Sequence, residues 1–162
     1  MKKFIALFAL MVITLASYAQ VYKMYNTRNY HNQLRLNTMT GGVQQIQDDG
    51  QSWIVCSARE ISGDKESRFR LYETQNMWTF ILLDSYNGRL WQVQYSAQDL
   101  DNLFCIPINK YELVSDNENC IFSIQPLTSM YQYYLINDRT GDMWKFQWST
   151  KGDDYRWIEK FK

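Results

Sequence analysis

One segment is written three times along this 162-residue chain, and that repetition limits the fold more than any single motif does. Residues 69–96, FRLYETQNMWTFILLDSYNGRLWQVQYS, align without a gap on residues 122–149, FSIQPLTSMYQYYLINDRTGDMWKFQWS. The identical pairs are Phe69/Phe122, Met77/Met130, Leu82/Leu135, Gly88/Gly141, Trp91/Trp144, Gln94/Gln147 and Ser96/Ser149. A more divergent copy, residues 22–47, aligns on residues 69–94. It shares Tyr25/Tyr72, Thr27/Thr74, Asn29/Asn76, Leu36/Leu83, Gly41/Gly88, Gln45/Gln92 and Gln47/Gln94.

Within the second copy, residues 69–74 alternate and end at Gln75-Asn76, a turn signal. Residues 77–84 are aromatic and β-branched, which suits a pleated surface. Trp78, Phe80 and Leu82 share one face, Thr79, Ile81 and Leu83 the other. With both faces largely apolar, this strand is predicted to be central and covered on both sides. The stretch Asp84-Ser85-Tyr86-Asn87-Gly88 is then a hairpin turn, with its glycine at positive φ in a bulge. Thr38-Met39-Thr40-Gly41 and Asp138-Arg139-Thr140-Gly141 repeat it. The return strand places Trp91, Val93 and Tyr95 opposite Leu90, Gln92, Gln94 and Ser96. The alignment continues through a fourth strand, at 103–108, 156–161 and, in the first copy, 52–57. Twelve short strands are therefore expected, in units of about 22–57, 69–108 and 122–161. The connectors, 58–67 and 110–119, are polar loops, and no apolar stripe of helical period lies between the units.

The first nineteen residues read as an export signal. Lys2 and Lys3 precede an apolar run from Phe4 to Ala16 that is too short to span a bilayer, and Ser17-Tyr18-Ala19 is a cleavage site before Gln20. A mature chain of residues 20–162 is expected to form a single β-repeat domain, periplasmic or secreted, with no membrane insertion after the signal is removed. Losing Lys2 and Lys3 leaves 15 basic residues against 17 acidic ones, which argues against a nucleic-acid binder. Three cysteines remain. Cys105 and Cys120 enclose a short loop and form the candidate disulfide, with buried free thiols as the competing reading. Cys56 and Cys105 fall in corresponding strands of successive units and are expected to point to similar sides in different places.

Four-stranded units of this length suit two all-β architectures: propeller-like blades, each an antiparallel meander, or a β-trefoil. The stretch from Leu83 to Trp91 resembles the Leu-Asp, turn, Gly, Trp signature of propeller blades. The strings LYETQNMWTFILLD (71–84) and GRLWQVQYS (88–96) resemble a family of short exported bacterial β-repeat proteins of unknown function. That family is often built of only two such units. The resemblance is strong in the second unit and weak in the first, where Gln44 replaces the tryptophan. It implies export and a β-repeat, favours blades over a trefoil, and brings no activity.

No catalytic constellation is legible. His31 is the single histidine and reads as a surface residue; there is no nucleophile elbow, phosphate loop or metal-ligand spacing. The loop acids Asp48, Asp49, Asp101, Asp153 and Asp154 read as solvated charges, which leaves a two-carboxylate hydrolase as the least favoured class. Trp91 and Trp144 read as core. The candidate ligand-binding residues are Trp78 and Tyr131, which follow the first turn, Tyr95 and Trp148, which close a strand, and Tyr86 and Arg139, where the copies differ. Gln47, Gln94 and Gln147 are expected to bond backbone at equivalent places. The leading expectation is a non-catalytic binding module for a glycan or a protein, with no cofactor. Self-association through the β-units is the alternative.

Overall fold

The computed structural model describes residues 20–116, 118 and 121–161. The expected signal segment therefore lies outside the described residues. The described residues form three separate four-stranded antiparallel sheets, each a simple meander. Blade 1 contains β1 (Tyr22–Asn26), β2 (Asn32–Asn37), β3 (Val43–Gln47) and β4 (Ser52–Cys56). Blade 2 contains β5 (Phe69–Glu73), β6 (Thr79–Asp84), β7 (Leu90–Gln94) and β8 (Phe104–Pro107). Blade 3 contains β9 (Phe122–Pro126), β10 (Gln132–Asn137), β11 (Met143–Gln147) and β12 (Trp157–Lys160). Each sheet is complete in itself and no strand is shared between units, so the trefoil alternative is excluded and the blade-like meander holds. A four-residue helix, α1 (Ala58–Ile61), opens the first connector, which the sequence had as loop throughout.

The repeated turns have a common cause. Gly41, Gly88 and Gly141 adopt φ of +77°, +77° and +76°, where a Cβ is penalised. Their N–H groups donate to the carbonyls of Asn37, Asp84 and Asn137 at 2.9, 3.0 and 2.8 Å. The side chains of those same three residues accept from the turn backbone, at Met39, Tyr86 and Arg139. In the third unit it is thus Asn137, not Asp138, that opens the turn.

The blades stack in chain order, the back of one against the front of the next. At the first seam, Leu34, Leu36 and Val43 of blade 1 meet Phe80, Leu82, Trp91 and Val93 of blade 2. At the second, Ile81, Leu83 and Leu90 of blade 2 meet Tyr133, Leu135, Trp144 and Phe146 of blade 3. Strand β6 sends alternate residues into both clusters and is buried along its whole length, as its two apolar faces predict. Each such side chain contributes about 1.5–3 kcal/mol by leaving water.

The disulfide departs from the expected pairing. Cys105 bonds Cys56 across the first seam, with Cα atoms 5.2 Å apart, which rules out a Cys105–Cys120 bridge; Cys120 lies outside the described residues. Corresponding strands of stacked blades lie opposite one another, one offering its back and the other its front. A register shift between Val43 and Gln44 turns both Val55 and Cys56 inward, which plain alternation does not anticipate.

Candidate binding groove

At one end of the sheets the β-turns and strand ends of neighbouring units converge. The same backbone bond recurs in all three units: Asp48 to His31, Tyr95 to Trp78 and Trp148 to Tyr131, N–H to carbonyl at 3.1 Å. Each pair also joins its side chains. In blade 3 the Tyr131 ring lies 4.9 Å from Trp148, and in blade 2 Trp78 lies 5.3 Å from Tyr95. In blade 1 the pair is polar, with His31 Nδ1 at 2.6 Å from Asp48 Oδ2. The hydrogen bond from His31 holds the Asp48 carboxyl below the usual carboxylate range.

The structure sorts the six candidate residues. Tyr95 and Trp148 are buried rather than available as open platforms, at 1% and 0% exposure. They tuck beneath the first turn, where the Tyr95 hydroxyl donates to the Met77 carbonyl at 2.7 Å and Trp148 Nε1 donates to Met130 at 3.0 Å. Tyr86 is held from the first connector and the residue that follows it: Lys65 and Arg68 lie over its ring at 5.1 and 5.8 Å. Arg68 forms a fork on Asp116 at 2.8 and 2.9 Å and also donates to Asp84 at 2.8 Å. Burial pushes the Asp84 carboxyl above the ordinary range, more than Arg68 offsets. This cluster ties a connector to a blade. Arg139 is exposed on the β10–β11 turn, away from the groove, and Tyr131 is 36% exposed on top of Trp148.

Trp78 is the candidate around which a site is built. Its backbone N–H donates to Asn76 Oδ1 at 2.8 Å and its indole rests on Tyr95, so the half-buried ring is held in place. Two adjoining hollows of about 560 and 520 Å³ have Trp78, Gln94 and Asn102 as their common wall. Their size is that of a small-ligand site. Asn29, Gln98 and Asp99 add polar groups to one hollow, and Asn76, Thr150 and Arg156 to the other. The rim is internally braced: Gln94 Nε2 donates to the Asn102 carbonyl at 3.3 Å, and Asn102 Nδ2 to Asp99 Oδ2 at 2.7 Å. Arg156 pairs with Asp153, and burial lowers its pKa.

Among the described lining residues Asp99 is the single carboxylate, so a two-carboxylate mechanism finds no second member in either hollow. No group of three His, Cys, Asp or Glu among the described residues is placed to hold a metal ion. Gln94 and Gln147 do bond backbone at equivalent places, Asn102 and Tyr155. The wall residues Asn102 and Gln98 lie in a stretch where the copies differ, and only that difference marks them in the sequence. No family model, curated protein or solved structure matches the chain.

Proposed function

We propose that the protein is an exported, non-catalytic binding module that takes carbohydrate in the groove beside Trp78. The observation that carries this reading is the braced indole standing between two hollows rimmed by side-chain amides. An aromatic face matches the apolar C–H face of a sugar ring, while Asn and Gln amides supply both donors and acceptors to hydroxyl groups. Neutral amides favour a neutral or weakly charged glycan, and the Arg156 guanidinium beside them is already paired with Asp153. Export is supported by the signal read in residues 1–19 and by the Cys56–Cys105 bond, which persists in oxidising compartments. Among the described residues no helix is long and apolar enough to cross a membrane.

The test is a glycan array followed by titration of the positives against native protein, Trp78→Ala and Trp78→Phe. Binding that falls about tenfold in Trp78→Ala and largely survives in Trp78→Phe is expected, since ring stacking is worth about 0.5–1.5 kcal/mol beyond the area it buries. No glycan bound, or binding indifferent to Trp78, would overturn the reading.

A further inference from the structure

The two seams within the chain use one set of linkages, and the outer faces of blades 1 and 3 carry the unpaired halves of it. At each seam the first residue of the incoming blade donates its N–H to the turn of the preceding one: Phe69 to the Thr38 carbonyl at 2.9 Å and Phe122 to Ser85 at 2.8 Å. The same aromatic ring covers the turn glycine. A methyl group placed on Gly41 would come within 3.0 Å of Phe69, and one on Gly88 within 3.2 Å of Phe122. Gly141 in blade 3 has nearly the same φ, but a methyl group there would meet nothing within 4 Å among the described residues. A glutamine of the preceding blade accepts from a serine N–H of the next, Gln45 from Ser96 at 3.1 Å and Gln92 from Ser149 at 3.2 Å.

By the repeat alignment, the position of Phe69 and Phe122 is Tyr22 in blade 1, and the position of Thr38 and Ser85 is Asp138 in blade 3. Likewise the position of Gln45 and Gln92 is Lys145 in blade 3, and the position of Ser96 and Ser149 is Asp49 in blade 1. Where the inner seams join an amide to a backbone N–H, the outer pair would therefore join a lysine to an aspartate. The remaining surfaces also match. Blade 1 exposes Tyr22, Met24 and Ile54 at 53%, 46% and 68% on its front, and Tyr22 and Ile54 line a hollow of about 480 Å³ there. The back of blade 3 offers Ile136 and Met143 where the inner seams have Leu36 and Val43 or Leu83 and Leu90.

We propose that a second copy of this chain is the partner of these faces. The back of blade 3 of each copy docks on the front of blade 1 of the other, closing a six-bladed ring with two equal seams. Two chains of three blades fall inside the usual range of four to eight blades for a closed propeller. A heterologous contact repeated about a twofold axis closes rather than extends. Gln33, Arg35 and Gln44 replace the apolar Phe80, Leu82 and Trp91 positions on the blade 1 front. Arg35 is satisfied there by Gln44, so the face tolerates water and the ring is reversible.

The experiment is sedimentation of the full mature chain over a wide concentration series, with Lys145→Glu, Asp49→Lys and the double variant. Lys145 lies opposite Glu159 on its own sheet and Asp49 bonds Gln51 locally, so circular dichroism checks that each variant folds. A dimer is expected, weakened at least about tenfold by either single reversal because each acts at both seams, and restored in the double variant. A strict monomer, a ladder of growing mass, or a dimer that the reversals leave unchanged overturns the proposal. Glycan binding at Trp78 is read separately and does not depend on the outcome.

Discussion

The two inner seams solve one packing problem by different means. At the first, Cys56 and Cys105 form a covalent tie, and Gln45 is fully engaged. Its Nε2 donates to Asn32 Oδ1 and to the Ser96 carbonyl, both at 2.6 Å, while its Oε1 accepts from Ser96. At the second seam, Ile108 and Ile158 pack in place of the cysteines, beside a larger set of rings from Phe122, Tyr133, Trp144, Phe146 and Trp148. The Gln92 amide keeps only half its bonds: Oε1 accepts from Ser149, but Nε2 has no partner among the described residues, and Thr79 stands where blade 1 has Asn32. A repeat therefore conserves the shape of a seam and not its chemistry. Covalent closure and a fully engaged Gln45 amide join blades 1 and 2, whereas aromatic packing carries the join between blades 2 and 3.

The largest test of that contrast removes the covalent tie. Replacing Cys56 and Cys105 together by serine is expected to lower unfolding stability by about 4 kcal/mol, from the freed chain between them, as read by chemical denaturation. A loss below about 1 kcal/mol would mean that apolar packing already holds the first seam as it holds the second. Next in size, Gln45→Leu is expected to cost about 2 kcal/mol by stranding the Ser96 and Asn32 groups, whereas Gln92→Leu costs less than about 1 kcal/mol. Equal costs would erase the distinction between the two latches.

The smallest effect concerns the exposed ion pairs on the outer blades. Hydrogen bonding by Lys160 and by His31 holds Asp142 and Asp48 below the usual carboxylate range. A depressed folded-state value contributes stability above the unfolded carboxylate pKa, and that contribution fades as pH falls through the depressed value. Both carboxylates are open to solvent, with side chains 62% exposed at Asp48 and 41% at Asp142, so the effect is expected to be slight and screened by salt. Carboxyl chemical shifts followed by NMR through acid pH should place both midpoints below those of an unpaired aspartate.

The repeat made most of the fold legible. Strand count, turn glycines and the double-sided burial of β6 all follow from alternation and three-fold alignment, because these are properties of one unit read locally. What crosses between units was not legible in the same way. The disulfide depends on a bulge beside Val43, and a shift of one residue reverses which face Cys56 occupies. The Gln45–Ser96 latch joins residues in different blades, so the alignment marks both positions without pairing them. Of the candidate aromatics, Trp78 and Tyr131 remained accessible, while Tyr95 and Trp148 did not. A residue that ends a strand is exposed only if no turn folds over it, and here the first turn of each unit does. Of the amides that rim the groove, Gln94 ends β7 and is marked by the repeat, whereas Asn29, Asn76, Gln98 and Asn102 lie between strands, where no period distinguishes a binding residue from a connector.

Placing the groove is the most direct test of the functional account. Two-dimensional NMR of labelled protein spanning residues 20–162, titrated with the best oligosaccharide from the array, reports the indole N–H of Trp78 and the side-chain amides of Gln94 and Asn102. Saturable shifts concentrated on those three groups, and absent in Trp78→Ala, are the predicted result. Shifts centred elsewhere, or none at any saccharide concentration, would contradict a carbohydrate site at Trp78.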